Sequence, residues 1–253
     1  MNLIKQILLK RVSDKSKNRL ESFKQYSLNK YCVIIGNGPS LSKVDFSIFD
    51  DKTVLYATNR AILHKDFDKL TNVNYILSDN YFFQEKEGKN ILKKIDKAQN
   101  INNIIVPSSW FYYRLFRSKN SKKYIYVNYK RDEELKNFKF TNDIYSGFRV
   151  GHTIVLDFCL PLAIFAGFKK IFLIGCDFDY SKKAQYFYGK NFNDKNFKKN
   201  QGTEMHKKSW KNNIRLGFER INDFCTNNQI EVLNCSNEKL LQVFRQTLKN
   251  DFG

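Results

Sequence analysis

No run of apolar residues in this chain reaches the ~18 needed to cross a bilayer, so no membrane-spanning helix is expected. The first residues show no sustained apolar stretch ending in a small-residue cleavage site, so no signal peptide is expected either. Cysteine is sparse. Cys32, Cys159, Cys176, Cys225 and Cys235 are odd in number and form no CxxC pair, which fits reduced core thiols in a reducing compartment. There is no Gly-x-Ser-x-Gly elbow, no P-loop lysine and no Cys–His pairing, which sets aside the common serine, cysteine and P-loop chemistries. Zinc-finger and RNA-recognition signatures are missing and the basic residues are scattered, so nucleic acid is not expected as a partner. No internal repeat is visible.

What is present points to one globular unit. At 253 residues, with 42% hydrophobic and 15% aromatic content, the chain can bury a sizeable core. Lys and Arg number 44 against 25 Asp and Glu, a net charge of +19 that favours anionic partners such as lipid headgroups or phosphorylated substrates. Near the start, Leu3, Ile4, Ile7, Leu8 and Val12 recur at helical spacing among Lys5, Lys10 and Arg11. Residues 1–28 therefore read as a basic amphipathic helix, which could lie on an anionic membrane or pack on the domain.

From Tyr31 onward, short apolar runs alternate with helix-like stretches. Strand candidates are VIIG (33–36), 53–58, 73–78, 103–107, 124–128, 170–175 and 230–234. Helical spacing covers 81–99, 109–118, 153–166 and 209–226, with Pro161 expected to kink or shorten the third. This alternation predicts an α/β fold over 29–253, a single Rossmann-like domain with a mostly parallel sheet of about seven strands and helices on both faces. Residues 179–205 are polar and aromatic, and long for a plain loop, so they read as a lid or binding loop.

The chemistry gathers at strand ends. Gly36, Asn37, Gly38, Pro39 and Ser40 follow the first strand, where glycines let a ligand approach and backbone N–H groups suit a phosphate. Asn59 follows the second strand, Ser78, Asp79 and Asn80 the third, and Asp177 and Asp179 the strand ending at Gly175. Polar groups after four strands describe a nucleotide-sized site along one sheet edge, with Asn37 and Asn59 supplying neutral amides. Asp177-x-Asp179 could hold a divalent ion, although the pattern is short and common. His64, in HKDFDK, is expected on the surface, and His152 stands in GHT at a helix start. His206 closes the 179–205 loop and opens the helix expected near Ser209, a position from which an imidazole could act as a base.

In order, these motifs resemble the bacterial sialyltransferases of glycosyltransferase family 42 and the wider sialyltransferase-like, MAF-type group. That family opens with a strand and GNGPSL, here Gly36 to Leu41, and has an Asn after its second strand, here Asn59. Its later G-x-D-F-Tyr run with a second Tyr resembles Gly175 to Phe178 followed by Asp179, Tyr180 and Tyr186. AGFKKIFL, residues 166–173, is similar to the family's LGYKEIYL. The family's Asn after the third strand corresponds to Asp79, with Asn80 beside it, and a family tyrosine near the histidine is Thr203 here. Its Arg-Ile-Thr-Ser-Gly stretch aligns loosely through Arg149 and Thr153, or through Ser146 and Gly147.

The resemblance implies a GT-A-type enzyme that transfers a nonulosonic sugar from a CMP-activated donor, with inversion and without metal or other cofactor. His206 would be the base, and Tyr180 and Tyr186 would contact the phosphate of departing CMP. The acceptor would be a surface glycan or glycolipid, reached from the cytoplasmic side by peripheral contact with the anionic inner membrane, and a homo-oligomer stays open. Alternatives are a Kdo-type or other nucleotide-sugar transferase, and a Mg-dependent pyrophosphokinase-like enzyme of the related GNGPSL group, using Asp177 and Asp179.

Overall fold

A computed structural model of the chain describes residues 14, 16–28, 31–110, 123–131, 140, 143–145, 148–150, 153–177, 186–188, 204–236 and 242–247. Its strands are β1 (Cys32–Ile35), β2 (Val54–Thr58), β3 (Val73–Ile76), β4 (Ile101–Pro107), β5 (Tyr124–Val127), β6 (Tyr129–Arg131), β7 (Phe148–Val150), β8 (Lys170–Ile174), β9 (Glu231–Asn234) and β10 (Arg245–Gln246). Eight of them form one sheet in the order β10-β9-β8-β1-β2-β3-β4-β5, and every pairing in it is parallel. All seven apolar runs expected as strands are in this sheet. The eighth member, β10, and the separate parallel pair β6–β7 were not expected.

The sheet is buried on both faces, as parallel sheets are. Alternation along β1 sends Cys32 and Ile34 into one apolar layer and Val33 and Ile35 into the other. Helices α1 (Tyr81–Gln84) and α2 (Lys86–Lys97) cover the second layer, where Phe82, Ile91 and Ile95 pack with Phe46 and Phe67. The first layer is covered by α3, a π-helical turn Val155–Cys159 that runs into the α-helix Leu160–Phe165. Leu160 N–H bonds the Val155 carbonyl across the wide turn, and Pro161, which has no N–H, stands where the helix narrows. Helix α4 (Glu204–Asn227) adds Ile214, Phe218 and Ile221 to the same layer. It begins five residues before the expected start, so its first turn already contains His206. Of the helix expected over 109–118, residues 111–118 lie outside the described ones.

The described part of the N-terminal segment packs on the domain. Leu20 and Phe23 are buried in the first layer. Arg19 Nη1 donates to the Tyr124 carbonyl (2.6 Å) and Nη2 to Asn103 Oδ1 (2.7 Å), while Ser16 Oγ accepts from Tyr126 N–H (3.0 Å). These bonds cover the edge strand β5, whose backbone would otherwise be open to pairing. Residues 1–13, where the amphipathic spacing is strongest, lie outside the described ones. Among the described residues, no helix is long and apolar enough to cross a membrane. The five cysteines are free thiols, four of them buried.

Candidate functional site

In the sheet order, the chain runs outward from β1 on one side to β2 and on the other to β8, so the switch point falls between β1 and β8. Both strands end in glycine there. The Gly36 N–H donates to the Ile174 carbonyl (2.8 Å) and the Gly38 N–H to the Gly175 carbonyl (2.7 Å). Gly175 has φ +62°, a left-handed backbone that glycine adopts without strain, and a Cβ on Gly38 would stand 2.1 Å from Asp177 Oδ2. The glycines thus let two loops interlock. Ser40 N–H donates to the buried Asp177 carboxylate (2.9 Å), and Leu41 N–H to the Gly38 carbonyl (3.1 Å).

The polar candidates divide by what already occupies their side chains. Asn37 Nδ2 donates to the Thr58 carbonyl (3.1 Å) and to Thr58 Oγ1 (2.8 Å), and its Oδ1 accepts from Arg60 N–H (2.9 Å). Its amide therefore ties β1 to the end of β2. Thr153 Oγ1 accepts from Leu156 N–H (3.0 Å) and caps α3. Asp79 Oδ1 accepts from Tyr81 N–H (2.9 Å) at the start of α1, and Asn80 Oδ1 accepts from the Trp110 indole (3.0 Å). Among the candidates, Ser40 Oγ and Asn59 Oδ1 are buried polar atoms that have no hydrogen-bond partner. Asn59 holds φ 48° at the end of β2, and its backbone is fixed by Tyr75 OH, which donates to its carbonyl (2.9 Å).

This division yields a paired expectation. Asn37→Ala removes three hydrogen bonds at about 0.5–1.5 kcal/mol each, so it should lower stability by about 3 kcal/mol in urea unfolding. Asn59→Gly keeps the left-handed backbone and removes a carboxamide whose carbonyl is unsatisfied, so its stability should stay within about 1 kcal/mol of wild type. The reverse ranking would mean that Asn37 faces the ligand after all.

Residues 186–188 stand over these strand ends. The Phe187 N–H donates to the Asn37 carbonyl (3.2 Å), and the Phe187 ring lies 5.8 Å from the His64 ring. Tyr188 OH accepts from Arg60 Nη1 (3.2 Å), and the guanidinium carbon lies 5.3 Å from the Tyr188 ring and 4.5 Å from the Tyr81 ring. Burial, then the bond to Glu87, pushes the Tyr81 phenol above the ordinary tyrosine range. Sequence reading missed Arg60, Tyr81 and Tyr188; the position of Arg60 directly after Asn59 was the available signal.

His64 is buried, not on the surface. It stacks on Phe46 at 4.1 Å, its Nε2 meets the Leu41 carbonyl (3.1 Å), and its Nδ1 accepts from Asp66 N–H (3.2 Å). Those bonds require the neutral ring protonated at Nε2. Burial holds its pKa below the usual histidine value. Below about pH 6.5 the unfolded chain takes up a proton that the folded ring resists, so stability present at neutral pH is lost on acidification. The melting temperature should fall from pH 7.5 to 5.5 more in the wild type than in His64→Gln. Equal falls would assign the acid sensitivity elsewhere.

Other candidates fall at or beyond the described residues. Tyr180, Asp179, His152, Thr203, Ser146 and Gly147 lie outside them, as do 179–185 and 189–203 of the expected lid. Arg149 is placed by its backbone in β7, opposite Lys130 of β6, and His206 by its backbone in the first turn of α4. Among the described residues, no three His, Cys, Asp or Glu side chains come together as a metal site.

Solved structures share this architecture. The sialyltransferase CstII from Campylobacter jejuni, in complex with the substrate analogue CMP-3FNeuAc, superposes with TM-score 0.55 at 19% identity, covering 86% of each chain. The monofunctional α-2,3-sialyltransferase Cst-I from Campylobacter jejuni gives 0.51 at 18% identity, over 87% of this chain and 80% of its own. CstII in complex with a trisaccharide acceptor and CMP gives 0.52 at 19% identity, over 86% of each. Comparison with curated protein sequences finds no match. The single α/β domain with its all-parallel sheet is therefore of the GT-A-like sialyltransferase fold. By sequence, the chain belongs to the family described as 6-hydroxymethylpterin diphosphokinase MptE-like, whose model matches residues 4–183.

Proposed function

We propose that this chain is a glycosyltransferase that moves a nonulosonic, sialic-acid-like sugar from a CMP-activated donor to a glycan or lipid-linked acceptor. The observation that carries the reading is the Asn59 carboxamide, held in a left-handed turn at the switch-point edge with its carbonyl buried and unpartnered. Such an acceptor is stabilised by a ligand N–H or O–H, which the base, ribose and sugar of a nucleotide sugar all offer. The shared fold of CMP-binding sialyltransferases adds support.

In the proposed reaction, His206 takes the acceptor hydroxyl proton as that oxygen attacks the anomeric carbon on the face opposite the leaving group. The bond from the anomeric carbon to the phosphate oxygen breaks, and CMP departs with the electron pair. Tyr180 and Tyr186 hydrogen-bond the phosphate as its charge grows, which needs no metal clamp. The net charge of +19 would favour working beside an anionic membrane on the cytoplasmic side.

A second reading is favoured by the family's own description. A diphosphokinase would need ATP and Mg, held through Asp177 and Asp179, and would not need His206. Calorimetric titration with CMP, UMP, GMP and AMP, once in EDTA and once in Mg, separates the two. CMP should bind most tightly, and Asn59→Gly should weaken it by about 1–3 kcal/mol. Preference for AMP, or binding that needs Mg, would favour the diphosphokinase.

A further inference from the structure

We infer that Arg60 is a positioning residue: through Tyr188 it holds residues 186–188 against the strand ends and fixes where the Tyr186 phenol stands. The inference rests on the proposed role of Tyr186 at the donor phosphate. Arg60 is set at the mouth of the site by its own N–H, which donates to Asn37 Oδ1 (2.9 Å). Its side chain is 9% exposed, and Glu87 Oε1 lies 3.9 Å from its Nε. A cation so far from water needs its neighbours, and the Tyr81 and Tyr188 rings supply electron-rich faces at 4.5 and 5.3 Å.

The hold on Tyr188 reaches Tyr186 because the two rings are stacked, with centroids 5.1 Å apart and planes 9° from parallel. Fixing the plane of one fixes the plane of the other. Phe187, between them, is held separately through the Asn37 carbonyl and the face of His64. The tripeptide is thus pinned at two points that both depend on the β1 loop and the end of β2. A lysine could keep the charge over the rings, but it lacks the planar fork that lets Arg60 stack and donate to Tyr188 OH together.

A reacting group displaced by about 1 Å can lose 10²-fold in rate while binding is kept. Arg60→Met should therefore lower kcat about 10–100-fold and leave CMP affinity within about threefold of wild type, with Arg60→Lys between them. Arg60→Met should add little to Tyr186→Phe but multiply the loss from His206→Ala, which acts independently.

The deciding experiment does not need the reaction. Trypsin should cut the ligand-free Arg60→Met protein several-fold faster at Lys183 and Lys190, which flank the tripeptide, while its far-UV circular dichroism stays that of wild type. Should Arg60→Met fail to fold, Tyr188→Ala removes the same latch from the half-buried side and should show the same faster cleavage. Unchanged cleavage in a folded variant overturns the latch whatever the enzyme transfers. Faster cleavage with losses that fully multiply with Tyr186→Phe overturns the positioning of Tyr186. If the wild type turns over no CMP-sugar, the transferase reading fails, and cleavage alone still decides the latch.

Discussion

His206→Ala lowers turnover by about 10²–10⁴-fold and leaves CMP affinity near the wild-type value. The expectation follows from where the chain puts this residue. Helix α4 starts at Glu204, so the backbone of His206 lies in its first turn, at the end of the long polar segment. A group on a helix is held more firmly than one on a loop, which suits a base that must meet an acceptor hydroxyl. Losing the base removes an interaction made in the transition state, so kcat falls without a matching loss of nucleotide binding. The variant should also lose whatever pH dependence the base gives the wild-type rate. Wild-type transfer by His206→Ala, with the same pH profile, would end the mechanism. Steady-state kinetics from pH 5.5 to 8.5 measure both.

Deleting residues 1–25 abolishes soluble expression. On sequence alone this segment could be a detachable membrane anchor, and its removal would then be harmless. The structure puts Leu20 at 3% and Phe23 at 1% exposure within the core layer shared with α3 and α4. Truncating a buried Leu costs about 2–5 kcal/mol and a buried Phe about 3–5 kcal/mol, so losing both rivals the whole stability of a typical domain. The deletion also removes Arg19 and Ser16 from β5, leaving an open sheet edge that invites aggregation. The point variant Phe23→Ala should lower stability by about 3 kcal/mol in urea unfolding. A soluble, fully stable deletion would return the whole segment to the role of an anchor.

The parallel sheet could be read from residues because fully buried strands are short apolar runs between turn signals, as Val33 to Ile35 and Lys170 to Ile174 show. Strand β10 carried no such mark. Its two residues, Arg245 and Gln246, are exposed, and only pairing with β9 defines it. The pair β6–β7 is three residues long on each side and escaped for the same reason. His64 was misread because charged neighbours such as Lys65 and Lys69 dominate its stretch, while packing on Phe46 is a long-range event. Polar residues at strand ends were legible in the sequence, but the hydrogen bonds each makes were not. Asn37 and Asn59 look alike as neutral amides after glycine-rich or turn-like ends. Only the Thr58 and Arg60 contacts reveal that Asn37 ties the frame together while the Asn59 carbonyl is buried without a hydrogen-bond partner.

The most direct test of the transferase reading is a ³¹P NMR time course on the purified protein, comparing CMP-activated nonulosonic acids in EDTA with ATP and 6-hydroxymethylpterin in Mg. A transferase of this kind releases CMP from a CMP-sugar in EDTA, with release lost in His206→Ala and slowed in Asn59→Gly. Formation of AMP from ATP and the pterin in Mg, with no CMP released from any CMP-sugar, would contradict it.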